Sequence, residues 1–120
     1  MKLISGTSNQ DFSRKVASVL KLPLLDVDIK TFNDGEVKIT INENVRGQDC
    51  FIIQTTSRSA EKSVNDNLME LFILTDAIKR GSAKSVNLII PYFGYQRQDR
   101  KDYSRAPISA AVIARFIESL

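Results

Sequence analysis

Ser85–Asp102 reads SVNLIIPYFGYQRQDRKD, and its two halves obey different rules. Ser85–Ile90 closes on branched apolar residues, as a buried strand does, and Pro91 with the polar, charge-dense run behind it cannot prolong that strand. Tyr92–Asp102 is therefore expected to be a loop at a strand's carboxyl end. In open α/β sheets, ligands bind outside that end. The loop carries Arg97, Arg100 and Lys101 as cations, with Gln98, Asp99 and Asp102 as further polar groups. Tyr92, Phe93 and Tyr95 add ring faces, and Gly94 lets the backbone turn. Arginine forks recognise phosphate and aromatic faces accept a base, so a nucleotide or nucleic acid is the expected ligand. The plainer alternative is a solvated basic loop whose rings pack back onto the core.

The chain ahead of this loop has the periodicities of an α/β unit. Lys2–Ser5 reads as a strand, and Thr7 or Ser8 as the cap of a helix presenting Phe12, Val16, Val19 and Leu20 on one face. Pro23 stops that helix. Leu25, Val27 and Ile29 alternate with Asp26, Asp28 and Lys30, and after Asn33-Asp34-Gly35 Val37, Ile39 and Ile41 alternate with Lys38, Thr40 and Asn42. Two alternating runs around a glycine turn predict a hairpin. Cys50–Gln54 is continuously apolar up to its last residue and suits a sheet centre. Thr55–Ser63 is a polar loop, after which Asn65, Asp66 or Asn67 can cap a helix carrying Leu68, Leu71, Phe72, Thr75 and Ile78. Gly81 follows Lys79 and Arg80, as at a helix end, and Pro107 suits the first position of a last helix over Ile108–Leu120.

The order β-α-β-β-β-α-β-α predicts an α/β sandwich. Its parallel core would be Lys2–Ser5, Cys50–Gln54 and Ser85–Ile90, with the Leu24–Ile41 hairpin extending one edge. The last helix stays apolar to Leu120 without a glycine cap, where an α/β unit would continue into another strand. Residues 1–120 therefore read as one domain, expected to be a fragment or one half of a two-domain protein.

Composition narrows the chemistry. Seventeen basic and fourteen acidic side chains leave a net charge of +3, which favours anionic ligands without demanding nucleic acid. There is no histidine, so neither a Ser-His-Asp triad nor a histidine-ligated zinc site can be built from this chain alone. The single cysteine, Cys50, cannot form an internal disulfide and reads as a small buried hydrophobe. No Walker A loop or GxGxxG run is present, so side chains would have to hold any phosphate. No signal-like or membrane-spanning apolar run occurs, and the expected setting is cytoplasmic.

Four motifs in order, FNDGE (Phe32–Glu36), NENVRGQDCFIIQ (Asn42–Gln54), NDNLMELFILTDAIKR (Asn65–Arg80) and IIPYFGYQRQDRKDYSRAPIS (Ile89–Ser109), resemble ribose-phosphate pyrophosphokinase. The resemblance runs from Lys2 to Leu120. It implies a phosphoribosyltransferase-like three-layer α/β sandwich, with a mostly parallel sheet and a hairpin extension, matching only the N-terminal of two similar domains. The family transfers the diphosphoryl group of MgATP to ribose 5-phosphate, giving phosphoribosyl pyrophosphate (PRPP) and AMP. By this resemblance Phe32, Asp34, Gly35 and Glu36 form the adenine-side hairpin, which serves a neighbouring subunit in a homo-oligomer. Arg97 and Gln98 contact ATP, and Asp99, Arg100, Lys101 and Asp102 flank its phosphates. Arg46, Ser82 and Arg105 resemble positions near a regulatory phosphate and nucleotide site. Magnesium would arrive with ATP.

The resemblance also implies what these residues omit. The family's ribose-5-phosphate loop, its metal-binding histidine and its mobile basic catalytic loop lie outside the motifs present. No catalytic or metal-binding residue is therefore assigned to this chain, and residues 1–120 are expected to be inactive alone. Two other readings use the same residues: a non-catalytic synthetase-like scaffold, and a single-stranded nucleic-acid binder built on Tyr92, Phe93, Tyr95 and the nearby arginines.

Overall fold

The computed structural model describes all of residues 1–120. Its elements run β1 (Lys2–Ser5), α1 (Gln10–Leu20), β2 (Val27–Thr31), β3 (Val37–Ile41), β4 (Asp49–Ile53), α2 (Val64–Arg80), β5 (Ser85–Ile89) and α3 (Ser109–Ser119). The predicted order of elements is reproduced. β1, β4 and β5 form a parallel sheet in the order β1-β4-β5, with Lys2 opposite Cys50 and Asp49 opposite Ser85. The continuously apolar run thus takes the centre, where both faces are covered.

The two faces of that sheet build two cores. Ile4, Cys50 and Ile52 point to one side and pack with Leu71, Leu74 and Ile78 of α2. Leu3 and Ile53 point to the other and pack with Ala17 of α1. Period-two alternation along the strands makes this division automatic. Ile117 of α3 joins the α2 side, so the layers are α1, sheet, and α2 with α3.

Helix α1 shows a different face from the one its pattern predicts. Ser13 and Ala17 are its buried residues, whereas Phe12 and Leu20 are exposed and Val19 is 81% exposed. The small face lets the helix lie close to the sheet, and Val16 alone of the predicted stripe packs inward. Its cap is Asn9, whose side chain accepts from the Phe12 N–H at 3.2 Å, not Thr7 or Ser8. Lys21 ends it in the left-handed region at φ 54°.

The hairpin pairs Val27 with Ile41 and Thr31 with Val37, as its alternation predicts. It does not extend the main sheet. β2 and β3 form a sheet of their own, linked to β1 through a Leu3–Leu24 bridge, a Leu25 N–H bond to the Leu3 carbonyl (2.8 Å) and Glu43, which accepts from Lys2 at 3.1 Å and from the Asp26 N–H at 2.7 Å. Val27, Ile29, Ile39 and Ile41 turn toward the α2 core. That covers a second flank of α2 and explains how so apolar a helix leaves only Met69 exposed among its large hydrophobics.

Two further helix termini differ from expectation. Ser63, not Asn65, Asp66 or Asn67, caps α2. Its hydroxyl accepts from the Asp66 N–H at 3.2 Å, and the Asp66 carboxylate accepts in return from the Ser63 N–H at 2.7 Å, a reciprocal box. Gly81 closes α2 at φ −68°, and Ser82 is the residue that takes the left-handed conformation. Ile108 is the cap of α3, so Pro107 lies just outside the helix.

Candidate functional site

The site grows from the exits of β4 and β5. Beyond Ile53 the ladder continues for one step, with the Gln54 N–H donating to the Ile89 carbonyl at 3.1 Å. Thr56 then ties the two exit segments together. Its N–H and hydroxyl both donate to the Tyr92 carbonyl at 2.9 Å, and its hydroxyl accepts from the Gly94 N–H at 2.6 Å. Only glycine fits at 94. A Cβ there would lie 2.5 Å from Val64 Cγ1 and 3.0 Å from the Thr56 carbonyl oxygen.

Past this seam the segments part and enclose a pocket of about 730 Å³. One wall is Arg58–Asp66, the loop after β4 and the first turn of α2; the other carries Tyr92, Tyr95, Arg97 and Gln98. The Tyr95 hydroxyl donates to the Asn65 side-chain oxygen at 2.6 Å, bridging the walls. Tyr95 itself sits at φ 68°, a backbone region that bulky residues rarely adopt. The Gln98 carboxamide oxygen accepts from the Ser109 hydroxyl at 2.6 Å and its carbonyl from the Ala110 N–H at 3.2 Å. The start of α3 is thereby anchored to the loop.

The structure divides the predicted site residues into separate groups. Arg97 and Gln98 line the pocket. Asp99, Arg100, Lys101 and Asp102 are exposed beyond it, with Arg100 and Asp99 3.7 Å apart as a solvent-facing ion pair. Phe32, Asp34, Gly35 and Glu36 sit at the tip of the β2–β3 hairpin and take no part in the pocket. Gly35 turns that tip at φ 95°, the Phe32 N–H donates to the Glu36 carbonyl at 2.8 Å, and Asp34 accepts from the Glu36 N–H at 3.1 Å. Phe32 is left 52% exposed. Arg46 and Ser82 lie at the opposite, amino ends of β4 and β5. Their turns meet through the Gly47 N–H and the Ser82 carbonyl at 2.9 Å. Arg105 is exposed at φ 67° and does not line the pocket.

A buried polar network under the pocket is absent from the sequence reading. Glu70 of α2 is fully buried. It accepts from the Thr7 N–H (2.7 Å), the Thr7 hydroxyl (2.7 Å), the Gln54 amide (3.1 Å) and the Lys62 ammonium (2.5 Å). Lys62 also donates to the Thr7 hydroxyl at 2.8 Å. Gln54 in turn accepts from the Ser8 N–H and hydroxyl. Asn67 donates to the Ser57 carbonyl at 2.7 Å, while its side-chain oxygen is buried without a partner. Thr7 and Ser8, expected as helix caps, serve this network instead. The signal was one carboxylate set in the apolar run Leu68–Leu74, at the spacing of the buried Asn67, Leu71 and Leu74.

The polar side chains can position an anion, but the chain has no cluster of three histidine, cysteine or carboxylate groups able to hold a metal. Burial raises the Cys50 thiol above its ordinary value, which suits packing and not nucleophilic attack. The Ser63 hydroxyl, followed by the Ser63 N–H, holds the Asp66 carboxyl below its ordinary value at the pocket rim. No helix is long and apolar enough to cross a membrane.

Comparison with known proteins gives this pocket a context. The family model described as the N-terminal domain of ribose phosphate pyrophosphokinase matches residues 1–120. The chain belongs to that family. Ribose-phosphate pyrophosphokinase of Campylobacter jejuni is 52% identical over 118 residues, covering 98% of this chain and 37% of that protein. The Maricaulis maris enzyme of the same name is 54% identical over 117 residues, covering 98% of this chain and 36% of that protein. The crystal structure of phosphoribosylpyrophosphate synthetase from Mycobacterium smegmatis superposes with a TM-score of 0.91 at 36% identity, over 98% of this chain and 38% of that one. The chain thus spans little more than a third of the length of the relatives it matches, and the α/β architecture is theirs.

Proposed function

We propose that this chain is the ATP-binding and oligomerisation half of a ribose-phosphate diphosphokinase, which converts ATP and ribose 5-phosphate to AMP and PRPP. The observation that carries the reading is the pocket at the carboxyl ends of β4 and β5, where Arg97 and Gln98 meet the start of α2. Arg97 takes no intramolecular ion pair, so its guanidinium is available to a phosphate. Gln98 keeps its amide donors while its oxygen anchors Ser109. Asp99, Arg100, Lys101 and Asp102 would flank the polyphosphate from the pocket's edge. Diphosphoryl transfer needs positioned reactants and neutralised negative charge more than covalent help, and a pocket of this composition supplies those.

The exposed hairpin tip supports a second element of the proposal. Phe32 is an uncovered ring beside two carboxylates, and it lies outside the pocket of its own chain. In a homo-oligomer it would stack on the adenine bound by a neighbour, with Asp34 or Glu36 accepting from the amino group. Arg46, Ser82 and Arg105 would serve a regulatory phosphate or nucleotide, with Arg46 and Ser82 as the adjoining pair. Magnesium belongs to the MgATP substrate. The residues present do not fit a protein-held magnesium site, since no carboxylate cluster converges. Ribose 5-phosphate would bind only to a second domain, and residues 1–120 alone would make no PRPP.

Calorimetric titration of MgATP into residues 1–120 tests the reading. Arg97→Ala should cost roughly 1.5–3 kcal/mol of binding. Arg115→Ala, on α3 and exposed, should cost little. Equal and negligible effects would remove the loop as the nucleotide site. Binding of poly-U with a steep salt slope, without binding of ATP, would favour the single-stranded nucleic-acid reading instead.

A further inference from the structure

The pocket has a second charged wall, and its cations are not among the residues that the sequence motifs single out. Arg58 and Lys62 come from the loop after β4, whereas Arg97 comes from the loop after β5, and all three line one cavity. Arg58 takes no hydrogen bond or ion pair, although Arg14, Arg80 and Arg100 each have an aspartate. Two carboxylates share the lining, Glu61 and Asp66, the latter held by Ser63, so the three cations exceed them by one. Lys62 has its own counter-ion in Glu70, whereas Arg58 and Arg97, on two separate loops, line the cavity without one and gain from an anion between them.

Lys62 differs from the other two in being fixed. Of its three ammonium donors, one goes to the Thr7 hydroxyl and one to Glu70. One N–H is left, and the side chain lines the cavity with 19% of its surface exposed. Glu70 is held by four donors in a fully buried setting. Withdrawal of the ammonium would leave that buried carboxylate without its cation, which is costly. The lysine is therefore anchored before any ligand arrives, and binding need not order it.

We propose that Arg58 and Lys62 form a phosphate-recognising wall facing Arg97, with the Lys62–Glu70–Thr7 network as its positioning device. The ligand class is a linear polyphosphate, namely the phosphate chain of the nucleotide. The inference rests on the nucleotide reading above and adds what decides the number of phosphates recognised. A base without phosphates would gain nothing from this wall, and each phosphate added should tighten binding.

The experiment titrates ATP, AMP, adenosine and inorganic tripolyphosphate into the 120-residue chain. The variants are Arg58→Ala, the charge-neutral pair Lys62→Gln/Glu70→Gln, Arg97→Ala for comparison, and Arg115→Ala as control. Expected is a loss of about tenfold or more in affinity for ATP and tripolyphosphate with Arg58→Ala and with the paired variant. Adenosine affinity should stay unchanged, and the control should bind as the parent does. A merely structural role would lower adenosine and ATP affinity together, and that result would overturn the proposal. ATP binding that is lost with Arg97→Ala but kept in both other variants would overturn the second wall and leave the nucleotide reading standing. No binding of ATP or tripolyphosphate by the parent chain would overturn both. Arg58 is exposed, so Arg58→Ala decides the matter even if circular dichroism shows the paired variant unfolded.

Discussion

Replacing Glu70 by alanine should be among the most damaging single changes in this chain. The carboxylate accepts from the Thr7 N–H, the Thr7 hydroxyl, the Gln54 amide and Lys62, and no part of it reaches solvent. Lys62 retains partial exposure and can be rehydrated after Glu70 is removed. The two Thr7 donors and the Gln54 donor are part-buried or buried and cannot readily exchange Glu70 for water. Each donor stranded in that way costs about 1–3 kcal/mol, and sharing of the loss puts the total near 3–5 kcal/mol. Deletion of one partner from a buried ion pair gives the same range independently, about 3–5 kcal/mol. A domain of this length has a total stability of order 6–18 kcal/mol, so the change consumes a large fraction of it. Urea denaturation followed by circular dichroism reads the effect as a midpoint lowered by roughly 2 M or more at an unchanged slope. Glu70→Gln keeps one acceptor oxygen and should fall between alanine and the parent. A Glu70→Ala chain within about 1 kcal/mol of the parent would show that the network does not hold the β1, β4 and α2 ends together.

Gly94→Ala should force the seam between Thr56 and the Tyr92–Gly94 backbone apart, because Val64 is a β-branched helical residue with little rotamer freedom. A cost of about 1–3 kcal/mol, or a melting temperature lower by roughly 5–15 °C, is expected, and an unchanged melt would refute the close packing. The Asp66 carboxyl is held below its ordinary value near 3.8 by the Ser63 hydroxyl and N–H, so the capping box is fully present above that pH. Its contribution is lost as pH falls through the lowered folded value; Asp66→Asn should therefore flatten the acid limb of the stability curve between those pH values, and parallel curves would refute the box. Ser63→Ala should cost about 1 kcal/mol by thermal melt at neutral pH. Sedimentation of residues 1–120 should show concentration-dependent self-association, and a clean monomer throughout would leave Phe32, Asp34 and Glu36 without a neighbour to serve.

Lys2–Ser5, Cys50–Gln54 and Ser85–Ile90 could be assigned to a parallel core from sequence because short apolar runs end there in strong turn residues, but β5, expected to be buried, is an edge strand with no buried residue. The hairpin was legible for the same reason, its alternation matching its register. The motif and the rule that ligands bind at carboxyl strand ends pointed to Arg97 and Gln98, and both line the pocket.

Other features depend on how elements meet. The apolar stripe of α1 predicted its buried face wrongly because close approach to the sheet rewards small side chains, so Ser13 and Ala17 turn inward and Val19 faces solvent. The hairpin's separation from the main sheet follows from a single bridge at Leu24 and from the apolar flank of α2, which offers β3 more to bury than the edge of β1 does. Glu70 shows the same dependence most sharply. Its place in the apolar run Leu68–Leu74 points to burial but not to its partners, since its four donors come from positions 7, 54 and 62. Sequence determines elements whose signal is local and repeated along one strand or helix. Tertiary structure alone decides where single polar groups from distant segments satisfy one another, because a buried charge is tolerated only where the fold brings its partners to it.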